Sequence, residues 1–429
     1  MINKIKNNAF ARNSMILFAG TMLGSVLNYL FHLIIGRMVS VEIYGEVQSL
    51  TSLINIISVP AMTITMIATK YSAMYKATGD KVGGRKVIEY LNKKVTKFGL
   101  PVFVLAVIAT PFVGKFLNID EKLPIIILWV FMFFSFYASI LNGSLAGWQK
   151  FKQVGWLGML SAGVKLVFGI VLVKLSFGVS GVMGSFLVGA IAAYIASLVV
   201  LKFIIKAKNG KDGRIETIDF KSIKSYVMPA LVGNLSINIL GNIDMVMAKH
   251  NLDSVLAGQY GALTIVSKII FFATGVIATV LFAMSAEDSQ KKSNSIRIFV
   301  NASYLMIAVA VISIGAYFVM PDFILGMLFG DKYTDVSHYL GWFAILVTLF
   351  SFVNLIFQYL LSIQKTKVVY SFLVIAVICT GGILFFGKSF YAILIIASIS
   401  QVSAIVVGLY FLFKKEHDSS LKTNSNQIS

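Results

Sequence analysis

The sequence predicts an all-α integral membrane protein with about twelve transmembrane helices, arranged as two groups of six. Three observations lead to this fold class: the composition, the spacing of the apolar runs, and the placement of Lys and Arg between those runs. Of the 429 residues, 58% are hydrophobic and 13% are charged, and the mean hydropathy is +0.85. A soluble domain of this length cannot bury so much apolar surface, whereas lipid solvates it directly.

Twelve stretches are long and apolar enough to cross a hydrocarbon core, which needs roughly 20 such residues per helix. The fifth contains Lys165, the seventh Asp244 and the eighth Lys268. The stretches are about 14–36, 45–69, 98–117, 123–147, 154–176, 179–201, 225–248, 255–286, 298–320, 337–363, 368–387 and 389–413.

The Lys and Arg residues between these runs predict the orientation. With the N-terminus in the cytoplasm, the cytoplasmic segments carry 28 of the 37 Lys and Arg residues and the outer segments carry 7, while Lys165 and Lys268 lie within spans. Such a bias is typical of an even number of spans with the positive loops inside. We therefore expect a multi-pass protein of the cytoplasmic (inner) membrane with both termini in the cytoplasm. The same bias explains the net charge of +19 without a nucleic-acid partner.

The longest polar connection, about 202–224, falls near the middle of the chain and separates six spans from six. Two halves with the same orientation would be related by an axis along the membrane normal. The polar residues after the last span predict a disordered tail. The expected units are an N-terminal six-helix bundle at 1–210, a C-terminal six-helix bundle at 211–413 and a disordered cytoplasmic tail at 414–429.

The sequence lacks the residues that several classes of function require. The chain contains no G-x-x-x-x-G-K-[ST] loop for a nucleotide, and it shows no paired carboxylates, no zinc-type His–Glu array and no nucleophile elbow. The single cysteine, Cys379, excludes an intramolecular disulfide and a cysteine metal cluster. We therefore expect no enzymatic activity, no cofactor and no bound metal.

Polar side chains inside the spans remain as candidates, because lipid makes them costly and they often line a cavity. Lys268 is the strongest, since it lies near the centre of the eighth span on one helical face with Thr264 and small residues. A central cation on such a face fits a water-filled cavity that binds an anion. The alternative is a lysine that neutralises Asp244, or one that extends toward the interface.

Other polar side chains complete the predicted lining of this cavity. Amides suit sugar hydroxyls, although they also hold helices together, and for Lys165 helix packing is an equally good interpretation. Packing is likewise the alternative for His32, and anchoring at the outer interface is the alternative for Arg37. Asp244 is the clear mid-span acid and the candidate for ion coupling. The remaining substrate-binding candidates are Asn28, His32, Arg37, Lys165, Asn234, Asn238 and Asn242.

Two short motifs at the outer ends of spans resemble those of a known family. Arg37 precedes Tyr44-Gly45 with R-x-x-x-x-x-x-Y-G spacing, and Gly258 precedes Tyr260-Gly261 in a G-x-Y-G pattern. With the 6+6 plan, these motifs resemble the polysaccharide biosynthesis proteins. That family contains the O-antigen and capsule repeat-unit flippases of the multidrug/oligosaccharidyl-lipid/polysaccharide exporter superfamily.

The resemblance implies a V-shaped pair of six-helix bundles around a central cavity lined by spans one, two, seven and eight. It also implies a cargo, an undecaprenyl-diphosphate-linked oligosaccharide that moves from the inner to the outer leaflet by alternating access. Hydrocarbon strongly opposes the charge of a diphosphate, so a route across needs cations and hydrogen-bond donors such as Lys268 and the amides. The other expected partners are membrane lipids, a polysaccharide polymerase and glycosyltransferases.

Two other functions remain open from the sequence. A cation-coupled multidrug exporter of the same superfamily would use buried acids, but the first span has none and Asp244 is the clear mid-span candidate. A membrane polysaccharide polymerase or ligase would need a sizeable outer loop with catalytic Arg or His. The longest outer loop expected here, 321–336, is short and has no convincing acid–base set.

Overall fold

The computed structural model describes residues 9–207, 220–291, 295–363 and 365–413. Every secondary-structure element in these ranges is a helix. The predicted boundary between the halves at 210/211 and the predicted tail lie outside the described residues.

Up to residue 207, the helices follow one another with short connections. They are α1 Ala9–Met38, α2 Val41–Ile57, α3 Val59–Ala77, α4 Lys81–Ile108, α5 Thr110–Leu117, α6 Leu123–Gly147, α7 Phe151–Lys174, α8 Gly178–Val200 and α9 Lys202–Ile205.

From residue 220 onward, the pattern of long helices continues with one short 3₁₀ segment. The elements are α10 Phe220–Leu240, α11 Ile243–Asn251, α12 Ser254–Lys291, α13 Ser295–Val319, α14 Pro321–Phe329, the 3₁₀ helix η1 Asp331–Tyr339, α15 Leu340–Ser362, α16 Val368–Phe386 and α17 Phe390–Phe413.

Three of the predicted spans are each built from two helices that meet at a bend. The angles are 41° between α2 and α3, 53° between α4 and α5, and 44° between α10 and α11. The first break falls at Ser58, just before Pro60, whose ring suits the first turn of a new helix but interrupts an existing one. The third break falls at Gly241–Asn242, whereas Pro229 lies inside α10. Each bend divides a span into two half-helices.

By length and apolar composition, eight described helices can cross a membrane, or eleven if each bent pair counts as one span. The 30-residue helix α1, which contains the first predicted span, is not counted among these. Large apolar side chains face outward along these helices, as Phe112, Val319 and Phe386 do. Such surface belongs in lipid. The architecture is therefore that of a helical multi-pass membrane protein, and the number twelve stays a prediction.

Each half is held together by helix packing within itself, and a smaller set of helices joins the halves. In the N-terminal half, α1 packs on α7, α3 on α6, and α7 on α8; in the C-terminal half, α12 and α17 pack on α15. The halves meet mainly where α2 packs against α11 and α12, and α3 also contacts α10. Further contacts, of α1 with α14 and of α5 with α11, lie at one end of the molecule. We call this end of the molecule the junction end; its residues are 36–45, 110–122, 249–258 and 321–339.

Candidate functional site

Lys268 belongs to a group of three side chains that connects the two halves. Its ammonium donates a hydrogen bond to Oδ1 of Asn242 over 3.1 Å. The same oxygen accepts a second hydrogen bond from Nδ2 of Asn55 over 3.0 Å. Asn242 precedes the first turn of α11 at the bend with α10, whereas Asn55 lies near the end of α2. This bridging group, Asn55, Asn242 and Lys268, therefore joins the halves beside the breaks in two spans.

A small cavity lies on the other side of Lys268, within the C-terminal half. Its volume is about 20 Å³, which is roughly the space that one water needs. Its polar lining comes from Asp244, Thr264, Lys268 and Gln401, and the other lining residues are Leu240, Gly241, Phe343, Leu346, Val347, Phe350 and Ala397. Pockets for drug-sized ligands run to about 300–1,000 Å³. This cavity is therefore too small for a ligand of that size.

Asp244 lines the same cavity but makes its hydrogen bond elsewhere. Its Oδ2 accepts a hydrogen bond of 3.0 Å from the hydroxyl of Tyr260, which is fully buried. In the part of the chain that the structure describes, the ion pair within 4.0 Å is Arg85–Glu89. Direct pairing of Lys268 with Asp244, the alternative left open by the sequence, is thus not found. The two charges share one cavity without touching.

Lys165 has a different environment from Lys268. Its ammonium donates a hydrogen bond to Oδ1 of Asn28 and lies 4.3 Å and 4.4 Å from the ring centroids of Phe31 and Phe186. These contacts tie α1, α7 and α8 together and stabilise the cation through the ring faces. In this structure Lys165 is thereby engaged within the N-terminal half.

His32 is the residue on which the charges of both lysines act. Lys165 and Lys268 both interact electrostatically with its ring, so the structure brings the two predicted cations near one side chain. The ring nitrogen Nδ1 lies 3.4 Å from Nε2 of Gln48, which also donates to the hydroxyl of Tyr44. His32 is half-buried. A chain of polar contacts thus runs from His32 through Gln48 to Tyr44 at the junction end.

The three asparagines of the seventh predicted span form a ladder along their own helix. Nδ2 of Asn234 donates to the carbonyl of Ala230, Nδ2 of Asn238 to that of Asn234, and Nδ2 of Asn242 to that of Asn238, over 2.8 to 3.0 Å. Thr264 likewise donates to a carbonyl of its own helix. Among the side chains that the structure describes, only Asn242 of this ladder bonds a residue of the other half. Asn234 and Asn238 are half-buried.

Arg37 and Lys332 cap each other's helices at the junction end. Nε of Arg37 donates to the carbonyl of Leu328 over 3.0 Å, and its guanidinium also bonds Met327, at the C-terminus of α14. Lys332 donates to the carbonyls of Arg37, over 3.2 Å, and Val39, at the C-terminus of α1. Helix C-termini carry unpaired carbonyls and partial negative charge, which cations neutralise. Arg37 is therefore a contact between the halves in this structure.

The capping by Arg37 and Lys332 depends on residues 321–339, most of which the sequence predicted to be an outer loop. The segment is instead helical, as α14 and η1, because a proline at the first turn starts α14 and a glycine with φ of +88° ends it at Gly330. Tyr333 is fully buried and donates its hydroxyl proton to the carbonyl of Gly36 over 3.2 Å.

The two tyrosine–glycine motifs meet where α2 crosses α12. A Cβ atom on Gly45 would lie 2.8 Å from the nitrogen of Gly258, and a Cβ atom on Gly258 would lie 1.9 Å from the carbonyl oxygen of Val41. Only glycine allows backbones to approach this closely. The two motifs therefore form a close backbone contact between the halves.

Three residues at these sites were not selected from the sequence. Asn55 was one of many polar residues in its span, and nothing in the sequence shows that it faces Asn242. Gln401 is the only amide in the last span, which is a signal that the analysis did not use; its Nε2 donates to the carbonyl of Leu240. Lys249 was assigned to a loop, although it is 1% exposed and donates to Ser254.

Metal-binding capacity is not evident in this geometry. In the ranges that the structure describes, no three or more His, Cys, Asp and Glu side chains converge on one point. The sites consist instead of amides, hydroxyls and ammonium groups, which suit anionic and sugar-like ligands.

Comparison with known families agrees with this arrangement. The family model described as polysaccharide biosynthesis protein matches residues 10–287, more than half of the chain. This chain belongs to the polysaccharide biosynthesis protein family. Similarity extends to an uncharacterized membrane protein of Methanocaldococcus jannaschii, 23% identical over 291 residues. That match covers 62% of this chain and 66% of the relative.

Solved structures share the fold of this family member at low sequence identity. An inward-facing multidrug resistance transporter of the MATE family and the MOP superfamily aligns with a TM-score of 0.72 and 12% identity, covering 92% of this chain and 97% of that one. The lipid II flippase MurJ, in an inward closed conformation, aligns with a TM-score of 0.68 and 16% identity, covering 93% and 87%. The fold is thus shared with both kinds of transporter.

Proposed function

We propose that this protein is a flippase that moves undecaprenyl-diphosphate-linked oligosaccharide repeat units from the inner to the outer leaflet of the cytoplasmic membrane. Membership of the polysaccharide biosynthesis family supports the class of cargo. The fold shared with the lipid II flippase and the multidrug transporters supports transport rather than catalysis. In this proposal the protein needs no cofactor and is not an enzyme.

The observation that carries the proposal is the environment of Lys268. Its ammonium bonds a neutral amide oxygen, and among the described residues no carboxylate lies within 4.0 Å of it. Removing an ion from water costs several kcal/mol even after relaxation. An anionic group of the cargo would offset that cost at one stage of the cycle, and a diphosphate is such a group.

The mechanism that fits this site is alternating access by two six-helix bundles, with twelve spans in all. The bundles are residues 1–210 and 211–413. The positive-inside rule favours the outer face for the junction end, because the Lys-rich segments lie at the opposite end. In the state described here α2, α11 and α12 close the junction end. Parting of that contact would expose the cargo to the outer leaflet.

The proposed partners follow from the cargo. Membrane lipids surround the apolar helices, and the prenyl chain of the cargo can remain among them. Glycosyltransferases would supply the lipid-linked sugar, and a polysaccharide polymerase would use it on the outer side. The substrate-contacting set is proposed as Asn28, His32, Arg37, Lys165, Asn234, Asn238, Asn242, Thr264 and Lys268.

A substitution series at Lys268 tests the anion site. Lys268→Ala removes the charge and should reduce transport steeply without preventing folding. Lys268→Arg keeps the charge with a different geometry and should retain part of the activity. Lys268→Glu should be worse than alanine because it repels the diphosphate. The measurement is surface polysaccharide restored in a strain that lacks the gene, normalised to the protein inserted in the membrane.

A double change provides the control for this series. If Lys268 serves only to neutralise Asp244, Lys268→Ala with Asp244→Asn should recover transport. Recovery in the double variant, or full transport by Lys268→Ala alone, would contradict the anion site.

Ion-coupled export of small drugs is the second candidate, and the burial of Asp244 favours it. The carboxyl group is 7% exposed and lines a cavity with Tyr260 as its hydrogen-bond donor. Coupling through Asp244 would make transport depend on an imposed Na⁺ or proton gradient, and Asp244→Asn would abolish that dependence. Transport of a drug without any effect on surface polysaccharide would favour the exporter over the flippase.

A further inference from the structure

Two hydrogen-bond donors from opposite halves converge on a single neutral oxygen. Oδ1 of Asn242 accepts from the Lys268 ammonium over 3.1 Å and from the Asn55 amide over 3.0 Å. An amide oxygen has two lone pairs, so these donors occupy its full capacity. Asn242 itself is 7% exposed. The group is therefore built around one buried acceptor.

An anionic oxygen would suit this position better than an amide oxygen does. Hydrogen bonds in which one or both groups are ionised are roughly twice as strong as neutral pairs. Lys268 already supplies a full positive charge, and Asn55 supplies a second N–H. A phosphate oxygen placed where Oδ1 of Asn242 lies would accept from both and would neutralise the ammonium.

Leaving this position costs the side chain of Asn242 its three hydrogen bonds but no helix cap. Asn242 is the residue before α11, yet its side chain makes no capping hydrogen bond there. Its Nδ2 bonds only a carbonyl of α10, that of Asn238. The residue also lies at the 44° bend between α10 and α11, where the backbone is already interrupted.

We propose that Asn242 Oδ1 is an internal stand-in for the cargo's anionic oxygen, and that the cargo displaces it to be bound by Lys268 and Asn55 together. This inference rests on the proposed function and refines the place of Asn242 in it, because Asn242 occupies the anion's position until the cargo arrives. Displacement breaks the direct Asn55–Asn242 link between the halves. It also frees the residue at the α10–α11 bend, so arrival of the cargo weakens the contact that holds the junction end closed.

The test measures equilibrium binding of radiolabelled farnesyl diphosphate to the full chain in nanodiscs. Lys268→Ala and Asn55→Ala should weaken binding, because each removes a donor. Asn242→Ala should tighten binding about two- to tenfold, which corresponds to the loss of one competing hydrogen bond. Asn242→Asp keeps the size but adds a charged competitor, so it should weaken binding more than about tenfold. Unlabelled pyrophosphate should compete, and farnesol should not.

Ser267→Ala is the matched control. Ser267 is buried beside Lys268 on α12, and its hydroxyl donates to the carbonyl of Leu263 in the same helix. The Ser267→Ala variant should bind farnesyl diphosphate with the affinity of the unmodified protein. If Asn242→Ala does not fold, Asn242→Ser takes its place. Its shorter side chain also withdraws the competing oxygen, so this variant too should bind farnesyl diphosphate more tightly.

The outcomes separate this inference from the proposed function. Binding that requires Lys268 but is weakened by Asn242→Ala would make Asn242 a direct ligand; the stand-in role would be wrong and the anion site would stand. Equal affinity in the Asn242→Ala and Asn242→Asp variants would also overturn the inference. If the unmodified protein binds no farnesyl diphosphate, the anion site and the stand-in role both fail.

Discussion

Lys165 and Lys268 show how two lysines of similar sequence context acquire different surroundings. Lys165 is held between Phe31 and Phe186 within one half, while Lys268 bonds an amide that also bonds the other half. Sequence analysis identified both because a charge inside an apolar run stands out. It could not separate them, because the deciding contacts come from helices distant in the chain.

Substitutions at Lys165 should therefore affect stability in a way that depends on volume. Lys165→Met keeps the apolar stem between the rings and removes a buried charge, so stability should stay within about 1 kcal/mol or rise. Lys165→Ala should cost about 2–5 kcal/mol because it opens a cavity between two rings. Asn28 is exposed, so its freed oxygen can be solvated. The measurement is thermal denaturation of the purified protein in nanodiscs.

The comparison of the two variants also tests the cation–π contribution. If Lys165→Met is destabilised as strongly as Lys165→Ala, the ammonium itself stabilises the fold and the packing explanation is wrong. Lys268→Met is the reference, since Lys268 has no ring within the contacts described for it.

At the scale of elements, the halves meet beside two broken spans and where α2 crosses α12 at Gly45 and Gly258. Two bends lie close to the bridging group: Ser58 is three residues after Asn55, and Asn242 forms the other break itself. The Pro60 break follows from local chemistry. The bend at Gly241–Asn242 has no proline at the break, and the ring of Phe350 packs against Gly241.

The α2–α12 crossing should be sensitive to a single methyl group. Gly258→Ala places a Cβ atom against the carbonyl of Val41, and overpacking of this kind costs about 1–3 kcal/mol. That range corresponds to about 5–150-fold in the ratio of open to closed molecules. A cysteine in place of Ser49, which is fully buried on α2, should then react faster with a membrane-impermeant thiol reagent.

Two controls accompany this measurement. The native Cys379, which is buried, is replaced by serine so that the introduced thiol is the only one. Gly381→Ala is the matched glycine substitution, because a Cβ atom there meets nothing within 4 Å. Its labelling rate should match that of the protein that retains both glycines. Unchanged labelling in a folded Gly258→Ala protein would show that the crossing does not control opening.

For the whole molecule, the charge distribution predicts the orientation in the membrane. The segments assigned to the cytoplasm hold 28 Lys and Arg residues against 7 in the outer segments. Those outer cations include Arg37 and Lys332, which the structure uses as helix caps between the halves. Charges retained outside thus have a structural reason that counting alone does not reveal.

Reporter fusions test this orientation directly. Fusions after Lys86, Lys211 and Lys415 should all report the cytoplasm, and a fusion near Lys332 should report the outer side. Enzymatic reporters that are active on opposite sides of the membrane serve as mutual controls at each position. An outer signal at Lys211 would exclude six spans in the N-terminal half.

The sequence by itself determined the membrane class, most of the helices, and Lys268 and Asp244 as unusual residues. These conclusions rest on composition and on local runs of apolar residues, which a linear chain displays without folding. Family membership, suggested by two short motifs, was confirmed by comparison. Tertiary structure alone decided which polar groups meet. Asn55 and Asn242 are 187 residues apart and Arg37 and Leu328 are 291 apart, and such pairs leave no periodic signal, because their contact depends on how separate helices pack.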